Sequence, residues 1–224
     1  MELLPSHDSR TVVLGSTGSG KTFFGVWLLS NRDWNNRPWF IIDFKRDSLI
    51  AKIGAKEHEL GKKLPTEPGL YVIRPLPGDE ELVSKFAMDC YYQENVGIYT
   101  DEGTMLPPYS KHDRWWRALQ TQGRSKNIEL ITCSQRPVWL DKQVFTEASF
   151  FAVLRLNNRQ DRLHTREFMN GRSIRNLPRF WTEWYDVTNQ ETAFFKPVPR
   201  ASEIVALFNK REVIKPQERE KVYI

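Results

Sequence analysis

Eight consecutive residues, Gly15-Ser16-Thr17-Gly18-Ser19-Gly20-Lys21-Thr22, satisfy the spacing G-x-x-x-x-G-K-[ST] in full. Glycines let such a loop wrap tightly and turn its N–H groups toward phosphate. Lys21 then reaches the β and γ phosphates of a nucleoside triphosphate, and the Thr22 hydroxyl ligates magnesium. The expected cofactors are ATP and Mg2+. A second stretch, "VGIYTDEG", is mostly apolar and ends in the adjacent carboxylates Asp101 and Glu102. Asp101 is placed to hold the magnesium through water and Glu102 to polarise a water for attack on the γ phosphate. That pairing points to hydrolysis, because transfer to a substrate hydroxyl does not need the glutamate. A third stretch, "ELITCSQRP", runs as a strand to Ser134-Gln135 and stops at Arg136-Pro137. In an open parallel sheet ligands sit beyond the carboxyl ends of the strands, so Gln135 is expected near the γ phosphate, orienting or sensing the attacking water.

These residues need a scaffold that brings three strand ends together. Short β-rich runs at 11–15, 39–43, 70–74, 96–102, 128–134 and 150–156 alternate with helical periodicity at 21–31, 79–94 and 113–124. Such alternation is the signature of an α/β fold, a mainly parallel central sheet flanked by helices. The segment 55–69, rich in Lys, Glu, Pro and Gly, reads as a surface excursion. After Asn157, "NNRQDRLHTREF" reads as a basic helix, and "FWTEWYDV" with "TAFFKPV" as a closing strand pair. One ATPase domain over 1–208 is expected, followed by a charged tail over 209–224 with little apolar content to bury.

With 224 residues, 40% of them hydrophobic and 27% charged, the chain has the composition of one globular domain. No apolar run approaches the roughly 18 residues of a membrane span, and the N-terminus does not read as a signal peptide. The net charge of +5, from 33 Lys and Arg against 28 Asp and Glu, is a mild basic bias compatible with nucleic acid. Cys90 and Cys133 fit neither a disulfide framework nor a zinc site and read as reduced core residues. His7, His58, His112 and His164 show no metal-ligand spacing, and no nucleophile elbow of the G-x-S-x-G type occurs.

Taken in order, "GSTGSGKT", "IIDFKRD", "GIYTDE" and "GRSKNIELITCSQRP" resemble the motif series of the HerA–FtsK superfamily of P-loop ATPases. Asp43 and Lys45 stand where many relatives carry Asp-Pro-Lys, and Ser134 replaces a Thr of the Thr-Gln-Arg-Pro block. The match runs from about Thr11 to Arg162. The chain's small size resembles most closely the compact genome-packaging ATPases of tailless, internal-membrane-containing double-stranded DNA viruses, the tectivirus-like group. The resemblance implies a RecA/FtsK-like fold and a hexameric or pentameric ring that pushes double-stranded DNA into a preformed capsid. Capsid or portal-vertex membrane proteins are the implied partners, and the host cytoplasm and the virion's packaging vertex the implied location. It also implies an arginine supplied to the neighbour's site, which by motif is Arg124, with Arg155, Arg159 and Arg162 as competitors.

DNA contact is expected to be mainly to phosphates, with "YSKHDRWWR" (109–117) and "RQDRLHTREF" (159–168) as candidate segments. Two further classes remain open from the sequence. A Zot-like phage morphogenesis or secretion ATPase shares the P-loop core but usually carries a membrane anchor. A P-loop small-molecule kinase is disfavoured by the Asp101-Glu102 pair and by Gln135.

Overall fold

The computed structural model describes residues 8–106, 114–171 and 177–209. Nine strands form one sheet in the order β3-β4-β2-β5-β6-β1-β7-β8-β9. These are β1 (Arg10–Leu14), β2 (Pro38–Ile42), β3 (Lys56–Glu57), β4 (Gly69–Ile73), β5 (Gly97–Thr100), β6 (Glu129–Ser134), β7 (Phe150–Val153), β8 (Thr182–Asp186) and β9 (Glu191–Phe195). From β3 across to β7 every pairing is parallel, and β8 and β9 add antiparallel at the far edge. The expected mainly parallel sheet and closing strand pair are thus present. The chain leaves β1, passes through α1 (Lys21–Ser30) and enters β2 on the other side of β5 and β6. That change of direction opens a crevice beyond the carboxyl ends of β1, β5 and β6, where ligands of such sheets bind.

The strands are buried on both faces, so their side chains divide by alternation. Val13, Ile41, Val72, Tyr99, Ile131 and Cys133 face α1 and α6 (Ala201–Asn209), meeting Phe24, Leu28, Ile204 and Phe208. Phe40, Ile42, Ile98 and Leu130 face the opposite layer, meeting Val83, Phe86 and Cys90 of α2 (Glu80–Gln93) and Trp116 and Leu119 of α3 (Arg114–Gln122). A third cluster under α4 (Lys142–Thr146) and α5 (Arg159–Phe168) gathers Leu14, Phe145, Phe151 and Tyr185. Each such fully buried large side chain contributes about 1.5–3 kcal/mol relative to exposure. α1 lies so close to the sheet that a Cβ on Gly25 would stand 2.9 Å from both Cys133 Sγ and Tyr99 Oη.

The amino-terminal end of the sheet is closed by a cluster of ion pairs. Glu129, fully buried, pairs with Arg32 at 3.1 Å and Arg37 at 2.8 Å. Arg37 also pairs with Asp33 at 2.9 Å and lies 5.6 Å from the Trp39 ring centroid. Nearby, Arg10 donates to the carbonyls of Asp8, Leu119 and Gln120, holding the C-terminal turn of α3. Both cysteines are buried and free, as expected. α6 was not expected from the sequence; it ends at Asn209, and the tail expected beyond it lies outside the described residues. No helix among the described residues is long and apolar enough to cross a membrane.

Candidate active site

The three predicted strand ends meet because β5, β6 and β1 are neighbours. Their register sets Thr100 against Thr132 and Leu14 against Ser134, so Asp101, Gln135 and Gly15 leave the sheet side by side. The phosphate loop is tied to both flanking strands. Gly15 N–H donates to the Ser134 carbonyl at 3.1 Å, Ser16 N–H to the Arg155 carbonyl at 3.0 Å, and Asn157 N–H to Ser16 Oγ at 2.9 Å. Gly20 turns the chain into α1 at φ 96, a backbone that favours glycine. No side chain caps that helix and no acidic residue sits in its first turn. The N–H groups of Thr17, Gly18, Gly20, Lys21 and Thr22 donate to no other described residue. Ser19 Oγ is likewise buried without a partner. This is a concave array of donors at a helix N-terminus, built for anionic oxygens.

Lys21 is buried, and its Nζ donates to the Asp101 carbonyl at 3.3 Å. Thr22 Oγ1 donates to Asp101 Oδ1 at 3.2 Å, while Asp101 Oδ2 is buried with no hydrogen-bond partner. Burial pushes the Asp101 carboxyl above its ordinary range, against the pull of Lys21 and Lys45. An orphaned carboxylate oxygen beside a hydroxyl is a fitting donor set for a hard divalent cation. Tyr99 stands behind it, its hydroxyl 3.4 Å from Asp101 Oδ1.

Glu102 is held from three sides. Lys45 Nζ donates to Oε2 at 2.5 Å, and Thr104 Oγ1 and the Gln135 N–H donate to Oε1 at 2.8 and 3.2 Å. Burial works to raise this carboxyl, but the Lys45 hydrogen bond, the charge of Lys21 and the Thr104 hydroxyl outweigh it and hold it below its ordinary value. Glu102 is therefore an ionised acceptor. Gln135 continues the chain, taking the Thr17 hydroxyl on Oε1 at 2.7 Å, so the loop tip and the carboxylate share one network. Lys45 owes its aim to the turn after β2: Asp43, fully buried, accepts the Asp47 N–H at 2.9 Å and pairs with Arg74 at 3.3 Å. In the sequence Lys45 is visible only through the "IIDFKRD" motif, which gives it no role.

Arg124 is not in this constellation. It lies on the turn between α3 and β6, at the amino-terminal end of the sheet, and donates to Ser149 Oγ at 2.9 Å. Burial and the charge of Arg124 together pull Arg10 down to about 10. Of its competitors, Arg155 borders the loop of its own chain, and Arg162 donates to the carbonyls of Leu156 and Asn157. The candidate DNA segment 159–168 forms α5, where Arg166 is engaged with the Gly171 carbonyl. Of segment 109–117, residues 109–113 lie outside the described residues; Trp116 is core, and Trp115 packs on Tyr91 and Tyr92.

A phosphate loop, an Asp-Glu pair and a strand-end glutamine at the crevice of a mainly parallel sheet define a P-loop ATPase. No protein-family model matches the chain. It is 35% identical over 217 residues to DNA packaging ATPase P9 of Enterobacteria phage PRD1, covering 92% of this chain and 94% of P9. The chain therefore belongs to the family of phage DNA-packaging ATPases. Its fold matches the genome packaging NTPase B204 of Sulfolobus turreted icosahedral virus 2 with a TM-score of 0.72, at 17% identity over 87% of this chain and 98% of B204. The pCW3 conjugation coupling protein TcpA matches with a TM-score of 0.54, at 14% identity over 89% of this chain and 65% of TcpA.

Proposed function

We propose that this chain is the ATP-driven motor that packages a viral double-stranded DNA genome into a preformed capsid, with hydrolysis at sites between the subunits of a ring. The observation that carries the reading is the convergence of Lys21, Asp101, Glu102 and Gln135 at one crevice in a member of the packaging family. Lys21 and the free N–H groups bind the triphosphate. Thr22 and Asp101 are the residues that would hold Mg2+, which when bound neutralises charge on the β and γ oxygens. Glu102 accepts a proton from the attacking water, and Gln135, anchored to Thr17, orients it.

Placing Arg124 at the opposite end of the sheet supports a role in trans. β1 alone separates the two ends by about 16 Å at ~3.3 Å per residue, so Arg124 does not reach its own phosphate loop. On a neighbouring subunit's γ phosphate its guanidinium would neutralise developing charge. The ring is hexameric or pentameric in this reading. It acts in the host cytoplasm and at the virion's packaging vertex, docked to capsid or membrane proteins there.

The test is steady-state ATP hydrolysis with and without linear duplex DNA, alongside oligomeric mass. Ring assembly with sequence-independent stimulation that weakens with salt is expected. A monomer indifferent to DNA defeats the proposal. Mixing Arg124→Ala with Lys21→Ala subunits should restore part of the lost activity, and no rescue at any ratio removes the trans role.

A further inference from the structure

The cavity over the phosphate loop holds about 670 Å³, and two chemically different sets of residues line it. One set is Lys21, Thr22, Asp101 and Gln135. The other, Phe23, Phe180, Pro197, Val198 and Arg200, forms a second wall with no part in the phosphate chemistry. We propose that this second wall is the nucleobase site, which grips the purine ring of the nucleotide by stacking on Phe23 and Phe180. The inference rests on the reading of the cavity as the ATP site.

Phe180 carries the argument. It is the third residue of a turn closed by the Trp181 N–H donating to the Pro178 carbonyl at 3.1 Å, and its φ is 67°. That position favours glycine or asparagine, and a bulky aromatic there is an outlier. The fold gains little core from it, since the ring is 40% exposed. The ring instead leans on the loop: a Cβ on Gly20 would meet Phe180 Cδ1 at 2.9 Å. Arg179 sits 4.6 Å from its ring centroid and shares the cavity wall. Phe23, in the first turn of α1, is a second large apolar side chain left 40% exposed at the same cavity. Two exposed rings beside a phosphate loop are what a flat π-surface needs, and base–aromatic stacking tolerates any base.

The rest of the wall comes from the chain's last described elements. Pro197, Val198 and Arg200 link β9 to α6, and Arg200 N–H donates to Glu203 Oε2 at 2.8 Å at the start of that helix. α6 in turn packs Ile204 and Phe208 into the core beside Phe24 of α1. That wall is therefore fixed to the same helix that begins at the phosphate loop.

The experiment titrates the full chain, with Mg2+, with ADP and with inorganic pyrophosphate. Phe180→Asn keeps a residue that accepts the left-handed turn while removing the ring; Phe23→Ala removes the second ring from an exposed helical position. Each is expected to weaken ADP about tenfold, leave pyrophosphate within about twofold, and leave the melting temperature unchanged or, for Phe180→Asn, raised. Equal weakening of ADP and pyrophosphate, or unchanged ADP binding in both variants, overturns the base site. Lys21→Ala serves as the control: if it binds both ligands like the unaltered chain, the phosphate reading fails instead.

Discussion

Both ends of the central sheet bury carboxylates among cations, yet they do so to opposite effect. At the amino-terminal end Glu129 has both oxygens occupied, by Arg32 and by Arg37, and Arg10 is fixed on three carbonyls. At the carboxyl end Asp101 Oδ2 has no partner, Ser19 Oγ has none, and the loop N–H groups face open space. A buried carboxylate oxygen without a partner costs at least as much as a neutral polar group, about 1–3 kcal/mol, which a cation bound at Asp101 would recover. The contrast separates charge that holds the fold from charge kept ready for a ligand.

The sharpest break of that contrast is Glu102→Gln. It should keep nucleotide binding and lower kcat by about 10²–10⁴-fold, the range for a general base, with the melting temperature little changed. Single-turnover hydrolysis beside a binding titration checks it, and retained turnover removes Glu102 from the mechanism. Glu129→Ala should do the reverse. It takes away the carboxylate that two buried guanidiniums share, which costs about 3–5 kcal/mol, or about 10 °C in melting temperature for a domain of this size. Hydrolysis per folded molecule should stay near its original value, and a large loss of kcat at full folding would dissolve the distinction between the two ends. Lys45→Met tests the boundary between them, because its ion pair with Glu102 is structural in form and catalytic in place. A fall in kcat of about tenfold with KM for ATP within about twofold is expected, largely absent in a Glu102→Gln background and partly restored by Lys45→Arg. Additive losses in the double variant would make Lys45 independent of Glu102.

Much of the site was legible because its parts are local. The phosphate loop is one continuous motif, and Asp101-Glu102 and Gln135 each end an apolar run whose strand character is visible by composition. α6 was less so: "ASEIVALFN" lies beside a charged tail, and a nine-residue helix with one local cap, the Arg200 N–H on Glu203 Oε2, relies on packing Ile204 and Phe208 against α1. Phe180 shows no signal at all, since its significance lies in a left-handed turn set against Gly20 from 160 positions away in the chain.

By itself the sequence determined the chemistry: a tightly turning glycine loop with Lys21 and Thr22, and two carboxylates after an apolar strand, because these depend on residue type and short spacing. The tertiary structure alone decided the assembly of the site. The strand order puts β5, β6 and β1 side by side, Lys45 meets Glu102 from the turn after the neighbouring β2, and Arg124 falls at the far end of the sheet. Those outcomes depend on long-range strand pairing and helix packing, which no short stretch of residues encodes.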